Sequence, residues 1–121
     1  MTIGEVCLLT LDVPRLSVFY GQLLGLRCEG DETHVTLIAQ ETMLTVLRSD
    51  EPISGQNVAL AFTVQDIHAF CRHARSIGAR IVQEPTRQPW GAINMCLLDP
   101  DGRKVYFRER TEDHAAQQSE I

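Results

Sequence analysis

The feature that most restricts the fold of this chain is a pattern that occurs twice. In the first half, an apolar segment leads to Asp12, a good helix N-cap, and an amphipathic helix follows until Gly25. In the second half, another apolar segment, Asp66 and Gly78 repeat the arrangement. The two aspartates are 54 residues apart and the two glycines are 53 apart. The sequence therefore predicts a tandem duplication.

Each half predicts one strand, one helix and then three further strands. The apolar runs are short and turn residues separate them, as the strands of a small sheet require. The predicted strands are 6–11, 26–29, 34–39 and 43–48 in the first half, and 58–64, 80–84, 92–98 and 104–109 in the second. Pro85, Pro89 and the Asp-Pro-Asp-Gly turn at 99–102 mark the breaks between strands of the second half.

These strands and helices predict two modules with defined bounds. Residues 1–50 form the first module and residues 57–110 the second. The polar segment 51–56, which contains Pro52 and Gly55, is predicted to be the linker. Residues 111–121 show no apolar periodicity, so we expect a frayed tail there.

The composition excludes several classes of protein. The chain has 121 residues, 44% of them hydrophobic, which is enough for one compact domain or two small modules that share a core. The net charge is −5 and no run of Lys or Arg is present, so a nucleic acid is not an expected partner. No apolar stretch is long enough for a membrane span and no basic segment precedes one at the N-terminus, which predicts a cytoplasmic protein. The four cysteines lack a CxxC spacing and predict reduced thiols rather than disulfides or zinc ligands.

An ordered set of motifs carries a resemblance to a known family. The segment DVPRLSVFYGQLLGL at 12–26 resembles the opening of the vicinal oxygen chelate superfamily, which includes glyoxalase I, the fosfomycin resistance enzymes, extradiol dioxygenases and bleomycin resistance proteins. The second half agrees in order and spacing through the segments 61–66, 78–79, 84–85, 90–91 and 99–102. The resemblance covers residues 3–109. It implies an α+β fold in which two tandem βαβββ modules form a cup-shaped mixed sheet with the helices on the convex side.

Within that superfamily, the segments 88–91, 98–100 and 105–107 are most similar to the metal-free bleomycin resistance proteins. The resemblance places metal ligands on the first and last strands of each half. At these positions the chain has Glu5, Ala59 and Tyr106, and the strand 43–48 contains no acid or histidine. Even if a bulge let Asn57 replace Ala59, only two oxygen donors would be present, whereas a catalytic site needs three or more. We therefore expect no metal and no cofactor.

The histidines do not supply a different metal site. His68 and His73 are five residues apart on the predicted helix and do not share a face, and His114 lies in the predicted tail. These side chains are expected at the surface. His34 remains open, because the register of its strand is not determined by the sequence.

The resemblance and the alternation of strand residues together predict a ligand site. If Tyr106 points into the cup, then Lys104 and Arg108 do so too, while Val105 and Phe107 pack under the helices. The same reasoning points Glu5, Cys7 and Leu9 inward on the first strand, and Ala59, Ala61 and Thr63 on the fifth. Resemblance to the fosfomycin resistance enzymes turns Asn94 and Cys96 inward and puts Trp90 at the rim. The candidate ligand-binding residues are Trp90, Tyr106, Asn94, Arg108, Glu5 and Cys96.

Each of these residues also has a structural interpretation. Trp90 could plug the end of the sheet, Tyr106 could simply fill the cup, and Lys104 and Arg108 could be solvated edge charges. Cys96 is more typical of a small buried hydrophobe than of a nucleophile.

Three functions remain open at the level of sequence. The first is a homodimeric, metal-independent binding protein that sequesters a planar or aromatic small molecule, such as an antibiotic. The second is a glyoxalase-like lyase, isomerase or epimerase that uses Glu5 as a general base or in an atypical site. The third is an interaction protein with a filled cup.

Overall fold

The chain forms two compact units, each with one helix and one four-stranded sheet. The computed structural model describes residue 1, residues 3–52 and residues 59–109. The units comprise Met1–Gly55 and Gln56–Ile121. In the first unit the elements are β1 (Glu5–Thr10), α1 (Val13–Leu24), β2 (Cys28–Gly30), β3 (His34–Leu37) and β4 (Met43–Arg48). In the second they are β5 (Leu60–Thr63), α2 (Ile67–Ser76), β6 (Arg80–Arg87), β7 (Ile93–Leu98) and β8 (Lys104–Glu109).

The two sheets have the same topology, which confirms the predicted pair of βαβββ modules. The strand order is β1-β4-β3-β2 in the first unit and β5-β8-β7-β6 in the second. In each, the first and last strands pair in parallel and the other pairs are antiparallel. The fold is therefore α+β with two mixed sheets. The exact module bounds, the linker and the tail remain predictions, because residues 53–58 and 110–121 lie outside the described residues, as do Asn57 and His114.

The predicted helix boundaries are confirmed by the hydrogen bonds of their caps. The Asp12 carboxylate accepts a hydrogen bond from the Arg15 N–H at 3.1 Å, and Asp66 accepts one from the Ala69 N–H at 3.0 Å. Each satisfies an N–H that has no partner inside the helix. Gly25 and Gly78 have φ angles of 66° and 80°, a left-handed conformation that ends a helix without the penalty of a Cβ.

Each helix covers one face of its own sheet. In the second unit, the ring centroids of Phe70 on α2 and Phe107 on β8 are 4.3 Å apart. Phe107 also stacks with Phe62, with 5.4 Å between the ring centroids. Phe107 is fully buried, and burial of such a side chain contributes about 1.5–3 kcal/mol. The core of the first unit is made in the same way, by Leu16, Tyr20 and Leu23 of α1 and by Val35, Leu37, Leu44 and Val46 of the sheet.

One predicted strand boundary is wrong. The sequence places the end of the sixth strand at residue 84 and a break at Pro85, but β6 continues through Pro85 to Arg87. This strand is at the end of its sheet, and its pairing with β7 shifts between Ile81 and Gln83 and again between Gln83 and Thr86. A proline is tolerated there because its missing N–H is not needed at an edge or in a bulge. The other predicted strands agree within two residues at every end that the structure describes. The start of the fifth, at residue 58, lies outside the described residues.

No helix within the described ranges is long and apolar enough to cross a membrane. His34, His68 and His73 are all exposed, as the sequence predicts for the last two.

Candidate functional site

The candidate site occupies the face of the second sheet that points away from α2, here called the distal face. Val105 and Phe107 are buried on the side of α2. Since successive side chains of a strand point to opposite faces, Lys104, Tyr106 and Arg108 lie on the distal face. The predicted alternation along this strand is therefore correct, with Val105 and Phe107 packed under α2. That the other three residues line a cup stays a prediction.

The register of the sheet shows which residues share the distal face with Tyr106. Tyr106 lies opposite Ala61 on β5 and Cys96 on β7, and Cys96 in turn lies opposite Gln83 on β6. A second row contains Arg108, together with Thr63, Asn94 and Thr86. The structure thus brings four of the six predicted site residues together: Asn94, Cys96, Tyr106 and Arg108.

Cys96 is a packing residue of this face. It is only 3% exposed, and its thiol donates a weak hydrogen bond to the carbonyl of Leu97 at 3.8 Å. Burial raises the pKa of the Cys96 thiol, and the nearby charge of Lys104 opposes this shift only in part. The thiol therefore stays protonated near neutral pH, which makes it a poor nucleophile.

Asn94 carries an unsatisfied polar atom. Its Oδ1 is buried and no donor within the described ranges bonds to it. A buried acceptor without a partner costs about 1–3 kcal/mol. A ligand that offers a donor, or a turn of the amide that presents its nitrogen to a ligand oxygen, would remove that cost.

Trp90 lies on the turn between β6 and β7 and is 53% exposed. Hydrogen bonds hold this turn in place: Gly91 N–H donates to the Gln88 carbonyl at 3.0 Å, and Gln88 N–H donates to the Ala92 carbonyl at 2.7 Å. The Arg87 guanidinium also donates to the Gly91 carbonyl at 3.2 Å. This exposure disagrees with Trp90 as a buried plug of the sheet.

Glu5 belongs to the other unit, on the face of the first sheet that points away from α1. Its carboxylate accepts a hydrogen bond from the Cys7 thiol at 2.9 Å. This bond and the neighbouring Thr45 hydroxyl lower the pKa of Glu5. Burial opposes this lowering in part, and the charge of His34 adds to it. Glu5 is thus an ionised carboxylate with reduced basicity.

The donor set at the family's metal positions does not fit a divalent cation. Cys7 pairs with Thr45 in the first sheet just as Ala61 pairs with Tyr106 in the second, so Thr45 is the counterpart of Tyr106. The positions therefore hold a single carboxylate, Glu5, with a methyl group, a hydroxyl and a phenol. Divalent cations in proteins need several carboxylate, imidazole or thiolate ligands. In residues 1, 3–52 and 59–109, no group of three or more His, Cys, Asp or Glu could hold a metal ion.

The sequence reasoning missed Arg80, Gln83 and Thr86 on the distal face. Simple alternation from Arg80 would put residues 82 and 84 beside it. Because β6 bulges, Gln83 is there instead, and Glu84 points to α2, where it pairs with Arg75. Pro85, inside the second of the two register shifts, is the sequence signal that could have indicated a bulge here.

A shallow depression of about 490 Å³ in the first unit was also not predicted. It is lined by Ile3, Gly4, Glu41 and Thr42, at the start of β1 and of β4. Among the described residues that line it, Glu41 alone is charged, and none of them is a predicted site residue.

Comparison with solved structures supports the same architecture. A glyoxalase/bleomycin resistance protein/dioxygenase family enzyme from Burkholderia phytofirmans PsJN is 18% identical, with a TM-score of 0.80 over 90% of this chain and 98% of that one. TioX from Micromonospora sp. ML1 is 22% identical, with a TM-score of 0.76 over 92% of this chain and all of that one. A lactoylglutathione lyase from Agrobacterium tumefaciens is 18% identical, with a TM-score of 0.73 over 89% and 92% of the two chains. At such identities these likenesses show the fold alone.

No curated protein matches this chain in sequence. A family model does: that of the Glyoxalase/Bleomycin resistance protein/Dioxygenase superfamily matches residues 2–107, nearly the whole length. Together with the duplicated βαβββ topology, this match establishes that the chain belongs to the glyoxalase/bleomycin resistance protein/dioxygenase superfamily.

Proposed function

We propose that this protein is a metal-independent small-molecule binding protein of the bleomycin-resistance type, which sequesters a planar or aromatic ligand and acts as a homodimer. The observation that carries the proposal is the indole of Trp90, which stands 53% exposed on a turn held by hydrogen bonds. An exposed aromatic on a rigid turn gains contact area when a flat ligand stacks on it, and it loses little conformational entropy.

The distal face adds a second flat surface of suitable composition. Tyr106 is partly buried and lies between the small side chains of Ala61 and Cys96. Asn94 and Arg108 provide polar groups in the neighbouring row. A few polar groups around apolar and aromatic side chains are typical of sites for small molecules.

Sequestration also agrees with the donor set, because binding by stacking needs no metal. Glu5 is the one carboxylate at the family's metal-ligand positions, and it already accepts a hydrogen bond from the Cys7 thiol.

A glyoxalase-like lyase, isomerase or epimerase is the alternative, and the lyase from Agrobacterium tumefaciens shares the fold. Such an enzyme would need Glu5 as a base. The hydrogen bond from Cys7 works against this role, because it lowers the pKa of Glu5 and a general base works best with a pKa near the operating pH. An interaction protein with no ligand of its own is the third candidate.

Two measurements on the protein, purified without added metal, test the proposal. Native mass spectrometry reports bound metal, and a titration with a planar probe reports binding at Trp90. The titrant is 2-naphthamide, a neutral planar probe, and the readout is the single indole N–H signal of Trp90 in NMR spectra. We expect saturable movement of that signal and less than about 0.1 metal ion per chain. A stoichiometric divalent metal, or an indole signal that does not move at saturating probe, would contradict the proposal.

A further inference from the structure

We propose that the ligand of the distal face carries an anionic group, a carboxylate or another oxyanion, next to its planar part. This inference rests on the proposed function and names the chemical class of its ligand. Three cations share the distal face. Lys104 lies opposite Leu98, which lies opposite Arg80, and Arg108 is two residues beyond Tyr106 on β8.

No carboxylate within residues 59–109 shares that face with the three cations. Every Asp and Glu of this stretch has another place. Asp66 caps α2, and Glu84 pairs with Arg75 on the side of α2. Glu109 accepts a hydrogen bond from the Ile67 N–H at 3.1 Å. Asp99 and Asp101 both accept hydrogen bonds from the Arg103 guanidinium in the turn that contains them. The charges of Arg80 and Lys104 are therefore not neutralised by a carboxylate on that face of the sheet.

The first sheet shows the opposite pattern on its corresponding face. Glu5 lies on that face on β1. Glu29 on β2 lies on the same face, because it is opposite Thr36, and Thr36 is opposite Thr45, the partner of Cys7. Arg27 pairs with Glu29 there at 3.3 Å, but neither Lys nor Arg occurs at the positions of β1, β3 and β4 on that face. The charges of the two units differ in the same way. Residues 3–52 contain eight acidic residues and three Lys or Arg, whereas residues 59–109 contain five acidic residues and seven Lys or Arg. The cations of the distal face thus stand out in a chain with a net charge of −5.

The arrangement suits an oxyanion in its geometry as well as its charge. Arg108 and Asn94 lie directly opposite each other on β8 and β7. A guanidinium can hold both oxygens of a carboxylate, and the neighbouring amide offers a further donor when it is turned. Arg80 and Lys104, both exposed, add a field that attracts anions and repels cations over about a Debye length.

Three probes with one ring system separate charge from stacking: 2-naphthoate, 2-naphthamide and 2-naphthylmethylammonium. Each is titrated into the full chain in low salt, and the indole signal of Trp90 gives the Kd. We expect 2-naphthoate to bind about tenfold more tightly than 2-naphthylmethylammonium, with the amide between them, because two or three surface charges act in the same direction. The ratio should shrink in 0.5 M NaCl, since salt screens exposed charges.

Variants then assign the preference to this face. The double variant R80Q/K104Q changes two exposed cations and should reduce the anion-to-cation ratio to about threefold or less, with little change for the amide. The control R48Q/R72Q removes the same charge from exposed positions of β4, on the side of α1, and of α2, and it should keep the ratio near tenfold.

The outcomes distinguish this inference from the proposed function. Equal binding of all three probes would overturn the anion preference and leave the stacking site intact. Tighter binding of the cation, or equal loss of preference in both double variants, would overturn it as well. Failure of all three probes to move the Trp90 signal would contradict the proposed function itself, and the inference with it.

Discussion

The thiol of Cys7 donates a hydrogen bond to the carboxylate of Glu5, with 2.9 Å between sulfur and oxygen, on one face of the first strand. The bond changes both groups in opposite directions: it lowers the pKa of Glu5 and raises the pKa of Cys7. The two residues are therefore held as a neutral thiol and an ionised carboxylate.

This pair predicts the reactivity of Cys7. In Glu5→Gln, the carboxylate that disfavours the thiolate is gone, so the pKa of Cys7 should fall towards its ordinary value. Alkylation by iodoacetamide at pH 8 should then be faster at Cys7, because the thiolate is the reacting species. Peptide mass spectrometry measures the rate. Cys28 is the internal control, since the pKa of its thiol is raised by burial and not by Glu5. An unchanged rate at Cys7 would show that the pair does not exist in solution.

A second prediction concerns the turn at Asp99, which the sequence identifies only as a turn. The buried Asp99 carboxylate accepts hydrogen bonds from the N–H groups of Asp101 and Arg103 at 2.8 and 3.0 Å, and from the Arg103 guanidinium at 3.1 Å. Asp99→Ala leaves these donors without their acceptor and should reduce the free energy of unfolding by about 2–4 kcal/mol. Urea denaturation measures the change. Asp101→Ala is the matched control, because Asp101 is exposed, and it should cost less than about 1 kcal/mol.

The hydrogen bonds of Asp31 predict a dependence of stability on pH. Its Oδ1 accepts the Thr33 N–H and hydroxyl, both at 2.8 Å, and the His34 N–H at 3.2 Å. These bonds lower the pKa of Asp31 below its ordinary value of 3.8. A lowered pKa in the folded state stabilises the protein above pH 3.8, and this contribution is lost as the pH falls through the folded pKa.

Asp31→Asn tests this by urea denaturation from pH 6 to pH 2.5. The amide oxygen can still accept hydrogen bonds but does not titrate, so stability should fall less steeply with acid than in the unaltered protein. Glu32→Gln removes a charge from the same turn without those bonds and should flatten the curve less. If stability fell more steeply with acid in Asp31→Asn than in the unaltered protein, Asp31 would not be the source of this pH dependence.

The sequence predicted the parts of this fold that local chemistry decides. Asp12, Asp66, Gly25 and Gly78 each act on their own helix end, so their roles can be recognised from residue type and position. The alternation of Tyr106 and Phe107 is equally local, since it needs only an uninterrupted strand. These features placed both helices and most strands correctly, and they put Tyr106 and Arg108 on the face of the sheet away from α2.

The remaining features depend on pairing between strands, which residue types do not determine. The bulges of β6 decide that Gln83 lies beside Cys96 and that Glu84 turns to α2, and they arise from the register with β7. Likewise, the equivalence of Thr45 and Tyr106 becomes clear only when Cys7 and Ala61 are seen as their partners. Proline was a misleading signal for the same reason, because its cost depends on whether its strand lies at an edge.

We further predict a homodimer. Each sheet ends in strands that have a neighbour on one side only within their own unit, and such edges tend to pair or to be covered. Most soluble oligomers are homo-oligomers with closed symmetry, and a pair of identical chains is the commonest form. Sedimentation equilibrium at micromolar concentration should give about twice the chain mass of 13.6 kDa. A single species at the mass of one chain, unchanged on concentration, would rule the dimer out.

The last prediction concerns Trp90, the only tryptophan of the chain. Trp90 is 53% exposed, so the substitution Trp90→Ala removes about half of the buried surface that a fully buried tryptophan would lose. We expect a loss in the free energy of unfolding smaller than that of Phe107→Ala, which at a fully buried position should cost about 3–5 kcal/mol. For a planar ligand such as 2-naphthamide, Trp90→Ala should weaken binding by about 1–3 kcal/mol, the scale of one lost aromatic contact. Calorimetric titration measures this affinity, because the variant has no indole to report it. The reverse result, a variant that unfolds easily while its folded fraction binds the probe normally, would make Trp90 a structural residue and move the ligand site to Tyr106 and Arg108.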